Sequence, residues 1–227
     1  MRSVVPGWCG VALLIAALGT AQAAEIRGEI KLTSRGKALR ASAGQDAVIY
    51  FRSQSPPALQ PPETPYVLAT EGKKFVPEVL PIVAGSTVRF PNNDPILHNA
   101  FSTSRSNAFD VGLYGQGEES EPVRFLKPGL VRVYCNVHHS MVAHVVVLDT
   151  PYFVVPNERG QFRLSDLPDG PGELLVWHGR STLWRQKLDL GDEVAEVQVQ
   201  MELSRRRVSP HLNKFGKPYR RSRRSDY

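Results

Sequence analysis

The chain has 227 residues, of which 41% are hydrophobic and 22% charged, and its formal net charge is +6. This length fits one large domain or two small ones, and the hydrophobic share is enough for a buried core. The 18 glycines and 18 prolines favour short strands and turns over long helices. The composition excludes a disordered chain, a collagen and a coiled coil, and no apolar run reaches the roughly 18 residues of a membrane span.

Residues 1–23 have the features of a cleaved secretory signal peptide. Arg2 supplies the positive start, Val11–Leu18 is a short apolar run, and Ala21-Gln-Ala23 is a small-x-small cleavage site. We therefore expect export to the periplasm or out of the cell. Cys9 would leave with the signal, and Cys135 would be the lone cysteine of the mature chain. A lone thiol in an oxidising compartment is expected to be buried, paired in trans or bound to metal.

Strand patterns dominate residues 24–203. The alternation of Glu25–Leu32 and the apolar run Ala47–Phe51 predict two strands. Ser53–Pro65 holds five prolines in thirteen residues, which is typical of an extended linker. Further short strands are predicted at Val79–Val83, Ser86–Phe90, Gly129–Tyr134, Val142–Leu148, Tyr152–Val155, Gln161–Leu164, Glu173–Trp177 and Glu193–Glu202. No stretch predicts a long amphipathic helix, and the expected fold class is all-β, built from sandwiches.

The residues with metal chemistry cluster around Cys135. The stretch Val133–Met141 contains the motif Cys-x-x-His-x-x-Met, and His98 lies 37 residues before Cys135. A thiolate, two imidazoles and a weak axial thioether form the donor set of blue copper, which suits Cu(I) and Cu(II) alike. A strand would deliver Cys135, and a tight loop would return His138 to the same ion. Met141 would lie above that ion, and His98 would come from a neighbouring strand.

These residues also have plainer explanations. A buried cysteine is often inert, a methionine often fills a core, and a histidine at a strand end is often only hydrogen-bonded. Zinc can use the same donors, although closed structural zinc sites prefer four Cys or His ligands. The combined spacing favours copper. His139 and His144 fit the donor set less well, and the sequence suggests no partner for His178 or His211.

From about Phe75 to Leu148 the chain resembles the cupredoxins, the family of plastocyanin and amicyanin. The short Cys-x-x-His-x-x-Met loop is most similar to the amicyanin type, and the approach from Val83 to Asp94 is also similar to that family. The resemblance implies four copper ligands, His98, Cys135, His138 and Met141. It also implies that Asn99 ties the two ligand loops together.

A second resemblance flanks the first. Ile26–Tyr50, Asn157–Gly170 and Glu173–His178 are similar to strands of carboxypeptidase-regulatory-like (transthyretin- or prealbumin-like) sandwiches. The two resemblances together imply a cupredoxin-like Greek-key β-sandwich inserted into a small prealbumin-like β-sandwich. The expected division is a signal peptide (1–23), a discontinuous sandwich (24–52 and 150–203), a Pro-rich linker (53–65), a cupredoxin domain (66–149) and a basic, disordered tail (204–227). The arrangement also resembles periplasmic proteins labelled methylamine-utilisation proteins.

Two classes of function follow from these patterns. The first is a periplasmic one-electron carrier whose type 1 copper site has two histidine ligands, one cysteine and one methionine. It would exchange electrons with a redox partner such as a cytochrome c or a periplasmic dehydrogenase. The second is copper storage or delivery, or a non-redox β-sandwich binding module. An enzyme is not expected, because four protein ligands leave no open position for a substrate.

The tail from Ser204 to Tyr227 carries most of the positive charge. It holds nine Lys/Arg and one acid, a net charge of +8, and Arg2 adds +1, so the total of +6 leaves −3 for residues 24–203. Such a tail would contact an acidic protein or an anionic membrane surface, or remain a solvated extension. Nucleic acid is not expected as a partner of an exported protein. Because the tail is far from Cys135 in sequence, no route to the copper site is expected.

Overall fold

The structure, a computed structural model, describes residues 23–205, 212–217 and 219. Nearly all of the expected signal peptide, and much of the tail including His211, lie outside the described residues. Within them the regular structure consists of strands and one 3-10 helix, Ala41–Asp46, which confirms the all-β class. No described helix has the length and apolar character needed to span a membrane.

The strands, in chain order, are β1 Ala24–Ser34, β2 Lys37–Ala38, β3 Ala47–Ser53, β4 Tyr66–Val67, β5 Ala69–Glu71, β6 Lys74–Val76, β7 Val79–Val83, β8 Thr87–Arg89, β9 His98–Ser102, β10 Phe109–Tyr114, β11 Val123–Arg124, β12 Gly129–Tyr134, β13 Val142–Leu148, β14 Phe153–Val154, β15 Gln161–Leu167, β16 Gly170–His178, β17 Trp184–Leu190 and β18 Ala195–Glu202.

Two sheets are built from the flanking segments, residues 24–53 and 150–203. One has the order β15-β1-β18, with β2 paired to β1, and the other has the order β14-β3-β16-β17. Ile26 of β1, Phe51 of β3 and Leu174 of β16 belong to the buried core that these sheets share. Strands from both ends of the described chain therefore form a single sandwich. Insertion of the central segment requires that residues 24–53 and 150–203 pair in this way. The exact domain boundaries given above stay a prediction.

The central segment, residues 66–149, forms the second sandwich. Its larger sheet has the order β10-β9-β12-β13-β7, and its smaller sheet has the order β11-β8-β4. Between them lies an apolar core in which Phe90, Ile82 and Phe125 are completely buried. Cys135 and Met141 belong to the same core. The candidate ligands therefore lie at the end of a packed sandwich.

The two sandwiches are joined through the second faces of β3, β16, β7 and β13. Alternate residues of a strand point to opposite faces of its sheet. Ile49 of β3 accordingly packs in the flanking core, whereas its neighbours Val48 and Tyr50 pack with Val146 and Leu148 of β13. Full burial of one such side chain contributes about 1.5–3 kcal/mol. This double burial explains why β3 is a continuous apolar run.

Two histidines lie near this junction, His178 buried and His144 half-buried. The His144 ring packs against Trp177 of β16, with 5.5 Å between ring centroids. Nδ1 of His178 accepts a hydrogen bond from the backbone N–H of Arg180 at 3.1 Å. Both histidines line a cavity of about 730 Å³ to which both sandwiches contribute. Burial, reinforced by the positive charges of Arg132 and Arg180 respectively, lowers the pKa of each to about 4.

The free energy of unfolding should therefore fall as the pH drops from about 6.5 to about 4. An unfolded histidine titrates near 6.5, so over this range the unfolded chain binds protons that folded His144 and His178 do not. Each pKa unit corresponds to about 1.4 kcal/mol, and the two sites together account for a loss of several kcal/mol. Urea unfolding of the copper-free protein at several pH values measures this slope. The double variant His144→Gln/His178→Gln should flatten it, and an equally steep fall in the variant would contradict the assignment.

Candidate metal centre

Adjacent strands of the larger central sheet position the three strongest candidate ligands. Cys135 directly follows β12, His98 is the first residue of β9, and His138 lies in the loop between β12 and β13. β12 lies between β9 and β13 in the sheet. Cys135 and His98 are completely buried, and His138 is half-buried. The fold therefore brings together residues that are 37 to 40 positions apart in sequence.

The donor atoms of these three residues face one another. Nδ1 of His98 lies 3.2 Å from Nδ1 of His138. Sγ of Cys135 lies 3.8 Å from the first of these nitrogens and 3.9 Å from the second. With metal–nitrogen bonds of about 2.0 Å and metal–thiolate bonds of about 2.3 Å, two ligands of one ion are about 3–4 Å apart. The described residues thus contain one His–Cys–His group whose spacing fits a single metal ion.

Backbone hydrogen bonds close the loop that carries Cys135, His138 and Met141. The Cys135 N–H donates to the Met141 carbonyl at 3.3 Å, and the Met141 N–H donates to the His138 carbonyl at 3.0 Å. The His138 N–H points to Sγ of Cys135 at 3.5 Å. Met141 is 1% exposed and packs in the same core as Cys135. The loop is therefore compact, and the role of Met141 as axial ligand stays a prediction.

Asp94 orients His98 from the side away from the cluster. Its Oδ2 lies 2.8 Å from Nε2 of His98, and its carboxylate also accepts the N–H groups of Gly72 at 2.7 Å and Lys73 at 2.9 Å. Burial opposes the charge of Asp94, but the hydrogen bonds from Lys73, Gly72 and His98 prevail and hold its pKa below the usual range. An ionised carboxylate only accepts, so Nε2 carries the proton and Nδ1 is free to bind a metal.

The loop that carries Asp94 is itself held by a buried amide. Oδ1 of Asn92 accepts from the Thr70 hydroxyl at 3.0 Å and from the Asp94 N–H at 2.9 Å. Nδ2 of Asn92 donates to the carbonyls of Ile96 at 2.8 Å and Tyr114 at 3.2 Å. Sequence reasoning missed both Asn92 and Asp94. The only signal was an acidic residue four positions before His98, which does not by itself indicate a contact.

Asn99 connects β9 to the loop after Cys135. Its Oδ1 accepts from the Asn136 N–H at 3.3 Å, and its Nδ2 donates to Oδ1 of Asp110 and to the Gly112 carbonyl, both at 2.7 Å. This is the position that the cupredoxin resemblance implies. The effect of Asn99 on ligation stays a prediction.

The electrostatics of the cluster favour a neutral His138. Burial is the main cause that lowers its pKa, and the neighbouring His98 and Lys73 lower it further. A metal ion requires a deprotonated imidazole nitrogen, so these surroundings suit ligation. The donor group of the described residues consists of His98, Cys135 and His138.

The C-terminal tail, contrary to expectation, does reach this region. The Lys214 N–H donates to Oδ1 of Asn136 at 3.2 Å, and the ring of Tyr219 lies 3.5 Å from that of His139 between centroids. Burial and the nearby charges of Cys135 and Tyr134 raise the pKa of Tyr219 to about 12. The expectation that the tail has no route to the copper site is therefore wrong. The distance in sequence between the tail and Cys135 gave no information about whether the folded chain brings the tail back to the ligand loop.

Comparison with known proteins gives matches among solved structures. No family model and no curated protein matches the chain. Amicyanin from Paracoccus versutus is 24% identical, with 44% of this chain and 97% of that chain covered and a TM-score of 0.35. A purple cupredoxin from Nitrosopumilus maritimus is 23% identical, covering 37% of this chain and 99% of that one, with a TM-score of 0.32. A copper-containing nitrite reductase from Thermus scotoductus is 28% identical, with 43% of this chain and 25% of that chain covered and a TM-score of 0.36.

The central segment is a cupredoxin-like domain by its own features. It is a sandwich of two sheets with an apolar core, and a His–Cys–His group lies at the end of that core. The cupredoxin resemblance inferred from the sequence is thus confirmed. The donor set, one thiolate with two imidazoles, is the one that blue-copper proteins use.

The substitution Asp94→Asn should weaken metal binding by roughly 10- to 100-fold, the usual effect of losing a partner of a ligand histidine. An asparagine offers one acceptor oxygen where Asp94 offers two, so either the Gly72 N–H, or both His98 and the Lys73 N–H, would face an N–H donor. Competition of the protein with a chromophoric chelator for Cu(I) measures the affinity. Asp149→Asn is the matched control, because Asp149 forms an ion pair with Arg52 at the protein surface. Equal affinities of the Asp94→Asn variant and the unaltered protein would contradict this role of Asp94.

Proposed function

We propose that this protein is an exported, periplasmic or secreted copper protein that carries single electrons. Copper is held by His98, Cys135, His138 and Met141. The observation that carries the proposal is the convergence of one sulfur and two imidazole nitrogens within 3.9 Å of one another at the end of an apolar core. The features of residues 1–23 support export.

The chemistry of a bound copper ion would be a one-electron exchange between Cu(II) and Cu(I). The protein's part is to keep the donor atoms in one arrangement in both states. Asp94 fixes the ring of His98, and the backbone bonds of the β12–β13 loop fix Cys135 and His138. A ligand set that does not rearrange supports rapid electron exchange in both directions. Four protein ligands also leave no open position for a substrate, which supports a carrier rather than an enzyme.

Electrons would enter and leave through His138. It is the only half-buried member of the His–Cys–His group, since His98 and Cys135 are 0% exposed. Its neighbour Val137 is 43% exposed, so the surface beside His138 includes an apolar side chain. A redox protein, such as a cytochrome c or a periplasmic dehydrogenase, would approach this surface.

Two substitutions test the ligand roles. Cys135→Ser should abolish the thiolate-to-copper charge-transfer colour, because a hydroxyl is a harder and far less acidic donor than a thiol. Met141→Leu should keep copper and colour but raise the reduction potential, since losing a thioether destabilises Cu(II) more than Cu(I). Visible spectra and voltammetry of the copper-loaded proteins measure both effects.

Ser140→Ala is the control, because Ser140 is an exposed residue of the same loop. Colour in the Cys135→Ser variant would remove Cys135 from the ligand set. An unchanged reduction potential in the Met141→Leu variant would remove Met141 from the ligand set. A colourless protein that binds Cu(I) and releases it readily would favour copper storage or delivery instead.

A further inference from the structure

Residues 212–217 and 219 of the tail form a small folded unit, here called the C-terminal arm. The Asn213 N–H donates to the Lys217 carbonyl, and the Gly216 N–H donates to the Asn213 carbonyl, both at 2.9 Å. Oδ1 of Asn213 accepts the N–H groups of Phe215 and Lys217, both at 3.0 Å. Gly216 has a φ of 72°, which glycine adopts without strain. The turn therefore presents Lys214 in a defined direction.

The arm contacts residues on both sides of His138 in the ligand loop. Asn136 accepts the Lys214 N–H, and His139 packs against Tyr219. Nζ of Lys214 forms an ion pair with Oδ2 of Asp110 at 2.7 Å. Asp110 also accepts a hydrogen bond from Asn99, which holds the Asn136 N–H. The arm is thus linked to the same hydrogen-bond network that supports the candidate ligands.

The surface that receives the arm is defined by Asp110, Asn136 and His139. It offers a carboxylate for a cation, an amide oxygen for a backbone N–H, and a flat ring for an aromatic side chain. These groups fit a basic segment with an aromatic residue, which is the composition of residues 212–219. The charges also agree, because the tail has a net charge of +8 and residues 24–203 one of −3.

We propose that the surface of Asp110, Asn136 and His139 is the docking surface for the chain's own C-terminal arm. The docked arm covers the ligand loop beside His138, and an electron-exchange partner must displace it. The claim that a partner must displace the arm rests on the proposed function, whereas the docking of the arm does not. The Lys214–Asp110 pair is partly exposed, with side-chain exposures of 23% and 37%, so salt screens it and the arm can detach.

Docking is tested first in the full-length, copper-free protein by amide hydrogen exchange. Lys214→Glu places a carboxylate against Asp110 and should accelerate exchange of the N–H groups of Asn136 and Lys214 at least roughly tenfold. Tyr219→Leu should act in the same direction by removing the ring contact with His139. Salt of about 0.5 M should reproduce much of the effect in the unaltered protein.

Lys217→Glu is the matched control. It makes the same change in charge in the same turn, and the structure gives the Lys217 side chain no ion pair with any described residue. It should leave the exchange of Asn136 within about twofold of the unaltered protein. Equal protection in the Lys214→Glu and Lys217→Glu variants would overturn docking. Because this measurement needs no copper, its result is independent of the proposed electron transfer.

The covering role is tested in the Cu(I)-loaded protein, which hexacyanoferrate(III) oxidises to the Cu(II) form by removing one electron. Lys214→Glu should increase the second-order rate constant several-fold over that of Lys217→Glu, since the two variants have the same net charge and differ in arm release. Equal rate constants, together with lost amide protection in Lys214→Glu, would overturn the covering role and leave a docked arm that does not restrict electron exchange. A protein that binds no copper but shows the expected amide exchange would refute the proposed function and not the docking.

Discussion

The thiol of Cys135 and the imidazole of His98, buried at the end of an apolar core beside the half-buried His138, must find polar partners, because an unsatisfied buried polar group costs about 1–3 kcal/mol. The central segment is organised around this constraint. Asp94 satisfies the outer nitrogen of His98, and the backbone of the β12–β13 loop satisfies part of the needs of Cys135. The remaining lone pairs all face one point, with 3.2–3.9 Å between them. A metal ion at that point satisfies all three donors at once.

The rest of the molecule keeps the strands that carry these donors in register. β13 shares its inner face with the ligand-bearing core and its outer face with the flanking sandwich, as Val145 and Val146 show. The flanking sheet of β3 and β16 therefore supports the sheet that holds the site. The neutral histidines near this junction, one buried and one half-buried, make the support sensitive to pH. Acid should loosen the packing of the two sandwiches through His144 and His178.

Strong local patterns were sufficient to predict several strands and the candidate ligands. Val79–Val83, Gly129–Tyr134 and Val142–Leu148 were predicted with the bounds that the structure gives them. The motif around Cys135 located three of the four proposed ligands because they lie within seven residues of one another.

Other elements depend on contacts that no local pattern encodes. A strand at His98 was expected, but the bounds of β9 were not predicted, because all of its residues are buried and its sequence does not alternate. β10 was missed because its register shifts between Asp110 and Leu113. The segment Pro168–Gly172 has the prolines and glycines typical of a turn, yet it is partly strand β16, where Gly172 leaves room for the Phe51 ring. Asp94 and the C-terminal arm reach the site only through the tertiary fold.

Metal analysis with a visible spectrum of the purified, full-length protein after loading with Cu(II) tests the central claim most directly. The account predicts one copper ion per chain, an intense thiolate-to-copper charge-transfer band in the visible region and reversible bleaching of that band on reduction by one electron. Failure to retain copper, or a copper-loaded protein without the charge-transfer band, would contradict the claim that His98, Cys135 and His138 form an electron-carrying copper site.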